Sequence, residues 1–211
     1  MSAGIRLVRL VVVIAVFAAA AALIPTAGLL RTSGPASGTD RAGADASLLD
    51  AFRGADRQLV ARGRASKDVG AAVPSLDMKD LAGGGELPLT DAGRPVILTF
   101  VEPGCPACGD EVSKLAAMSV VFLQDLYIAV AAPPGTGPDV QQMLDEQGGS
   151  GLVLAGEDVG GAVAKSLGVT KRPTTIVVGD KGTLDALWSE PVPLSVFYAF
   201  LNKAYGLRKP G

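Results

Sequence analysis

The chain contains no histidine and only 2 cysteines in 211 residues. Without an imidazole there is no Ser-His-Asp or Cys-His catalytic unit, and no His-ligated zinc or haem. Two thiolates fall short of the four ligands of a structural zinc site, so neither a metal nor a cofactor is expected. Lys and Arg number 19 against 21 Asp and Glu, a formal net charge of −2. So balanced a chain offers no strongly basic surface for nucleic acid or anionic lipid. Aromatic residues are scarce at 5%, yet the mean hydropathy is +0.36, and the apolar excess sits mostly at the N-terminus.

There, Arg6 and Arg9 precede an uncharged run from Leu10 to Leu30 that closes at Arg31. About 21 residues rising ~1.5 Å each cover roughly the 30 Å hydrocarbon core of a bilayer. Residues 1–31 therefore read as a signal-anchor. The arginines hold the N-terminus in the cytoplasm and the rest of the chain crosses. A cleaved signal peptide is the alternative, with Val11–Phe17 as its core followed by small residues and Pro25, and a mature N-terminus near Ala27 to Ser33. Either way the remainder is expected outside the cytoplasm, where disulfides persist.

Residues 32–70 read as a linker with a short stalk helix. Thr32 to Ala46 carries almost no large apolar side chain and cannot bury enough surface to order itself. Leu48, Phe52 and Leu59 then recur at helical spacing, with Gly54 and Gly63 weakening the helix. Over 71–206 short strand and helix patterns alternate. Val96–Val101 and Tyr127–Ala132 are apolar on both faces, as central strands are. Helices are expected at Glu111–Met118, Val140–Glu146, Val159–Leu167 and Leu194–Tyr205, and a short strand at Leu152–Leu154. Thr174–Val178 and Thr183–Trp188 flank Gly179-Asp180-Lys181-Gly182, a hairpin signal. This order gives an α/β sandwich with a mixed sheet.

Cys105-Pro106-Ala107-Cys108 lies between the first of these strands and a helix. Residues i and i+3 face each other across one helical turn, Cβ atoms about 5–6 Å apart, so a tightened first turn closes a disulfide. Pro106 suits that turn, since its missing N–H would have no helical partner. Cys105, first in the turn, meets unpaired N–H groups and the positive end of the helix dipole, which favour the thiolate. Cys108, one turn in, is expected to keep its proton. Cys105 is therefore the attacking thiol and Cys108 the resolving one. A static staple is the other reading, but so short a loop removes little chain entropy.

Met78-Lys79-Asp80-Leu81, the strand into Cys105-Pro106-Ala107-Cys108, and Val159 to Leu187 resemble the TlpA/ResA-like branch of the thioredoxin superfamily, over about residues 73 to 205. Ala164-Lys165-Ser166-Leu167-Gly168-Val169 and then Pro173-Thr174-Thr175 are similar to that family's approach to its cis-proline. The resemblance implies a thioredoxin-like three-layer sandwich around a central mixed sheet, following an N-terminal transmembrane helix. It implies disulfide reduction outside the cytoplasm, with protein thiols and disulfides and an upstream electron donor as partners. Pro173 would then be cis and face the cysteines, shaping a substrate groove with Pro106, while the Arg172 backbone offers strand-like hydrogen bonds. The chain departs from the family at Gly104, where a Trp is common, and at Thr99, where many thioredoxins carry a buried acid. Glu102 is the candidate to replace that acid in proton transfer.

Two other functions fit the same architecture. In a peroxiredoxin-like peroxidase, Pro103-Gly104-Cys105 would be the nucleophile loop, but Glu102 stands where a Thr or Ser binds the peroxide, and its charge would repel a thiolate. A non-catalytic tethered module or metallochaperone would hold Cu(I) between the two thiolates.

Overall fold

The computed structural model describes residues 54, 57–64, 68–87, 89, 93–122 and 124–208. Its elements in chain order are helix α1 (57–64), strands β1 (Met78–Asp80), β2 (Glu86–Leu87) and β3 (Val96–Phe100), and helix α2 (Pro106–Phe122). Strand β4 (Tyr127–Ala132), helix α3 (Gly137–Glu146), strand β5 (Leu154–Glu157) and helix α4 (Ala162–Ser166) follow. Strands β6 (Thr174–Val178) and β7 (Leu184–Trp188) and helix α5 (Leu194–Tyr205) complete it.

A run with no polar face needs sheet neighbours on both sides and cover above and below. Every residue of β3 is buried, and β3 pairs parallel with β4 and antiparallel with β6. The order among the described strands is β2-β1-β5-β4-β3-β6-β7, a mixed sheet. Alternation splits its side chains between two cores. Ile97, Val130, Val177 and Ala186 meet α2 and α5 on one face. Leu98, Phe100, Ala131 and Ile176 meet Val163 and Ala164 of α4 on the other. Helix, sheet and helix make three layers.

Helix α1 is part of this body. Val60 is buried in the α2/α5 core, and the Trp188 indole N–H donates to the Leu59 carbonyl at 2.9 Å. Gly63 lies under that indole: a Cβ there would fall 2.2 Å from its ring. The glycine that weakens the helix by propensity is thus what allows it to dock. Trp188 in turn stands edge-on to Phe197 and Phe200, with centroids 5.9 and 5.5 Å away.

Several element boundaries differ from the sequence expectations. Helix α2 begins at Pro106, five residues before the expected start at Glu111. Strand β5 starts only at Leu154, because Leu152 and Val153 both donate to the Gly149 carbonyl and hold a turn. The helix expected from Val159 is broken by Gly160 and Gly161, with φ of +69° and +68°. It restarts at Ala162, where the buried Asp158 carboxylate accepts the Val163 and Ala164 N–H groups at 2.9 Å each. Among the described residues no helix is long and apolar enough to cross a membrane. The run at 10–30 and the linker at 32–46 lie outside the described residues.

Candidate active site

The site begins at a turn. Gly104 has φ +75°, a left-handed conformation that a side chain resists, so a Trp at this position would strain the turn. The Cys105 N–H reaches back to the Glu102 carbonyl at 3.3 Å, and α2 starts with Pro106 in its first turn. Cys105 thereby takes the capping position. Its Sγ accepts the N–H of Cys108 at 3.2 Å, as an N-cap side chain does from the third helical residue. Sulfur so placed receives both a backbone donor and the positive end of the helix dipole, and each favours a thiolate once the bond is reduced.

Cys105 and Cys108 are joined in a disulfide, with Cα atoms 5.2 Å apart. Their environments differ sharply. Cys105 is half-buried at the surface, whereas Cys108 is 0% exposed and packs with Val112 and Leu115 in the α2/α5 core. Only the first sulfur is open to an incoming chain.

A buried acid stands one turn beyond Cys108. Glu111 is 0% exposed. Its Oε2 accepts the Lys114 ammonium at 2.5 Å and the Val192 N–H at 3.4 Å, and Lys114 also donates to the Val192 carbonyl at 2.8 Å. Among the described residues its Oε1 has no hydrogen-bond partner. Burial raises the Glu111 pKa above its ordinary 4.5, opposed by Lys114, the Val192 N–H and Thr175. Thr175 lies on β6, where its hydroxyl also pairs with that of Thr99 at 2.9 Å. The strand position expected to lack an acid thus holds a neutral threonine pair, and the acid enters from the helix beside it. Glu102, the residue singled out from the sequence for proton transfer, is exposed. In the sequence Glu111 is inconspicuous, because a single Glu on a helix reads as a solvated face. The available signal was its spacing: it lies at i+3 from Cys108, on the turn that buries Val112 and Leu115.

The Arg172–Pro173 peptide bond is cis, and Pro173 is buried. Thr174 registers with Phe100 at the end of β3, so Pro173 sits beside the start of the turn that leads to Cys105. It precedes Thr175 by two residues on β6, on the face that meets α2. One helical turn back from Glu111 is Cys108, so cis-proline, disulfide and buried acid converge at one end of the sheet. The Arg172 guanidinium lies over the Phe100 ring, 5.5 Å from its centre. Among the described residues no cluster of side chains suits a metal ion.

A mixed sheet between two helical layers, with an N-capping Cys-x-x-Cys after the central strand and a cis-proline at the head of the neighbouring strand, is the thioredoxin arrangement, and that is the fold of this chain. Comparison with solved structures bears on the same point. The thioredoxin domain of a thiol-disulfide oxidoreductase from Bacteroides vulgatus is 21% identical, with TM-score 0.57, covering 65% of this chain and 98% of that one. A secreted Mycobacterium tuberculosis disulfide oxidoreductase, described as homologous to E. coli DsbE, is 16% identical, with TM-score 0.53 over 61% and 95%. StoA from Bacillus subtilis is 16% identical, with TM-score 0.52 over 62% and 98%. At these identities the likeness is one of fold, and these neighbours include thiol-disulfide oxidoreductases. No family model matches the chain, and no curated protein matches its sequence.

Proposed function

We propose that the chain is a thiol–disulfide oxidoreductase of the TlpA/ResA-like kind, acting as a reductase of protein disulfides outside the cytoplasm. The observation that carries this reading is the unequal pair. Cys105 is partly buried with its Sγ at a helix N-cap, and Cys108 is fully buried one turn from a carboxyl whose second oxygen has no partner among the described residues.

The step follows from those positions. The Cys105 thiolate attacks one sulfur of a substrate disulfide, forming a mixed disulfide and releasing the other substrate sulfur as a thiolate. Cys108 gives its proton to Glu111, directly or through one water, and its thiolate attacks the Cys105 sulfur. The second substrate thiolate leaves, and the protein pair ends oxidised. Two electrons have passed to the substrate, and an upstream dithiol donor restores them. Residues 10–30 serve as the anchor that keeps the domain on the outer side of the membrane. Pro106, Arg172 and Pro173 frame the substrate chain at Cys105.

The test is a comparison of activities on one preparation. The reduced protein is expected to reduce insulin disulfides without consuming hydrogen peroxide catalytically or holding Cu(I) with high affinity. Peroxide turnover without insulin reduction would replace this reading with the peroxidase. For location, protease added to intact cells is expected to degrade the domain, and a domain protected until lysis would refute it.

A further inference from the structure

We infer that the charge order along a substrate chain decides how fast it is reduced, because the two sides of the cysteine pair carry opposite charge. This rests on the thiol–disulfide reading above and names its substrate class: a disulfide-bearing polypeptide with cationic residues on one flank of its cysteine and anionic residues on the other.

The first side is a groove of about 570 Å³ that opens at Cys105. Its walls are the start of α2 and one edge of α3, and Gly109 and Met143 are among its lining residues. Asp139, Met143 and Glu146 recur along α3 at helical spacing, which turns that edge of α3 to the groove. Asp110 of α2 lines it too, and among the described residues no lysine or arginine does. All three carboxylates are exposed, and none takes part in an ion pair among the described residues. The chain as a whole is nearly neutral at −2, so the concentration of acid here is local.

The second side has the opposite sign. Helix α3 connects β4 to β5, and β6 flanks β3 on its other edge. Lys171 and Arg172 precede cis-Pro173 at the head of β6, on the edge of β3 away from β4 and β5, and neither lines the groove. Lys171 is exposed and Arg172 half-exposed, its guanidinium held over Phe100. No described hydrogen bond uses the backbone N–H or C=O of Arg172. A peptide crossing Cys105 can therefore pair with that free backbone while one flank enters the acidic groove and the other passes the basic side.

Both flanks are fixed once the backbone pairs, so reversing the charge order puts like charges together at both ends. Exposed, partly screened charges of this kind alter encounter and orientation more than final affinity. Roughly tenfold discrimination in kcat/KM at low salt is expected, fading as salt screens it.

The test uses two peptides of identical composition, each with one cysteine as a mixed disulfide with mercaptoethanol. One carries two lysines before the cysteine and two glutamates after it, and the other has the order reversed. The full-length reduced protein should prefer one peptide about tenfold, with the ratio falling toward one in high salt. In the exposed double variant Asp139→Asn/Glu146→Gln the ratio should also fall toward one. Equal rates for both peptides in the unaltered protein would overturn the inference while leaving the oxidoreductase reading intact. Failure to exchange with either peptide and with neutral hydroxyethyl disulfide would overturn that reading itself, and the inference with it.

Discussion

Replacing Glu111 with Gln keeps the shape of the side chain and removes the buried carboxylate. The amide oxygen still accepts the Val192 N–H, and Lys114 keeps the Val192 carbonyl at 2.8 Å. Lys114 is a quarter exposed, so its ammonium reaches water when the carboxylate is gone. Losing a charged hydrogen bond costs about 1.5–3 kcal/mol, and relief of a desolvated carboxylate offsets part of it. The variant should therefore fold. Its stability should respond differently to pH. Burial raises the folded-state pKa of Glu111 above the ordinary 4.5, so the folded protein binds this proton more tightly than the unfolded chain. The stability from that proton is full below pH 4.5 and is lost as pH rises through the raised value. Glu111→Gln should abolish this part of the slope.

The kinetic consequence is larger. Loss of a positioned general base typically lowers a rate by about 10²–10⁴-fold. The loss should fall on the second half of the reaction, the attack of Cys108, and leave the first attack by Cys105 nearly unchanged. Rapid acid quench followed by mass spectrometry, from pH 5 to 9, separates the two steps. The expected result is a mixed disulfide that accumulates and resolves about 10²-fold more slowly than in the unaltered protein, with the acidic limb of the resolution profile gone. Equal resolution rates and an unchanged profile would refute the assignment of Glu111, whatever happened to stability.

Further predictions concern the frame around the site. Gly63→Ala forces a methyl into the Trp188 indole and should destabilise the protein by about 1–3 kcal/mol, with a shift in tryptophan emission. Unchanged emission and stability would mean that α1 is not docked there. Asp158→Ala removes the acceptor for two helix N–H groups and should cost about 1–2 kcal/mol by chemical denaturation, whereas Asp158→Asn should cost less.

Much of this architecture is legible in short stretches of chain. The strands over Val96–Phe100 and Tyr127–Ala132 announce themselves by lacking a polar face, and the hairpin by Gly179 to Gly182 between two β-rich runs. Helix α5 is marked at its end by Gly206, which takes φ +71° as its C-cap. What the sequence conceals depends on partners far along the chain. Glu111 is buried because Val192, 81 residues away, supplies an N–H and its carbonyl anchors Lys114. Gly63 reads as a helix breaker until Trp188 is placed over it. Among the described residues the short strands β1 and β2 pair with each other and β1 with β5, and both are too brief to show a period. The fault in the helix after Val159 was written in Gly160-Gly161, which tolerate the left-handed region that ends a helix.

The most direct test of the central claim is the identity of the cysteine that is captured. Cys108→Ser leaves the exposed nucleophile without a partner to release it, so incubation with an oxidised peptide should yield one stable adduct, mapped to Cys105 by mass spectrometry and released by dithiothreitol. Under the same conditions Cys105→Ser should give none, because the remaining sulfur is 0% exposed in the core. An adduct on Cys108 in the Cys105→Ser protein, with none on Cys105 in the Cys108→Ser protein, would contradict the account at its root.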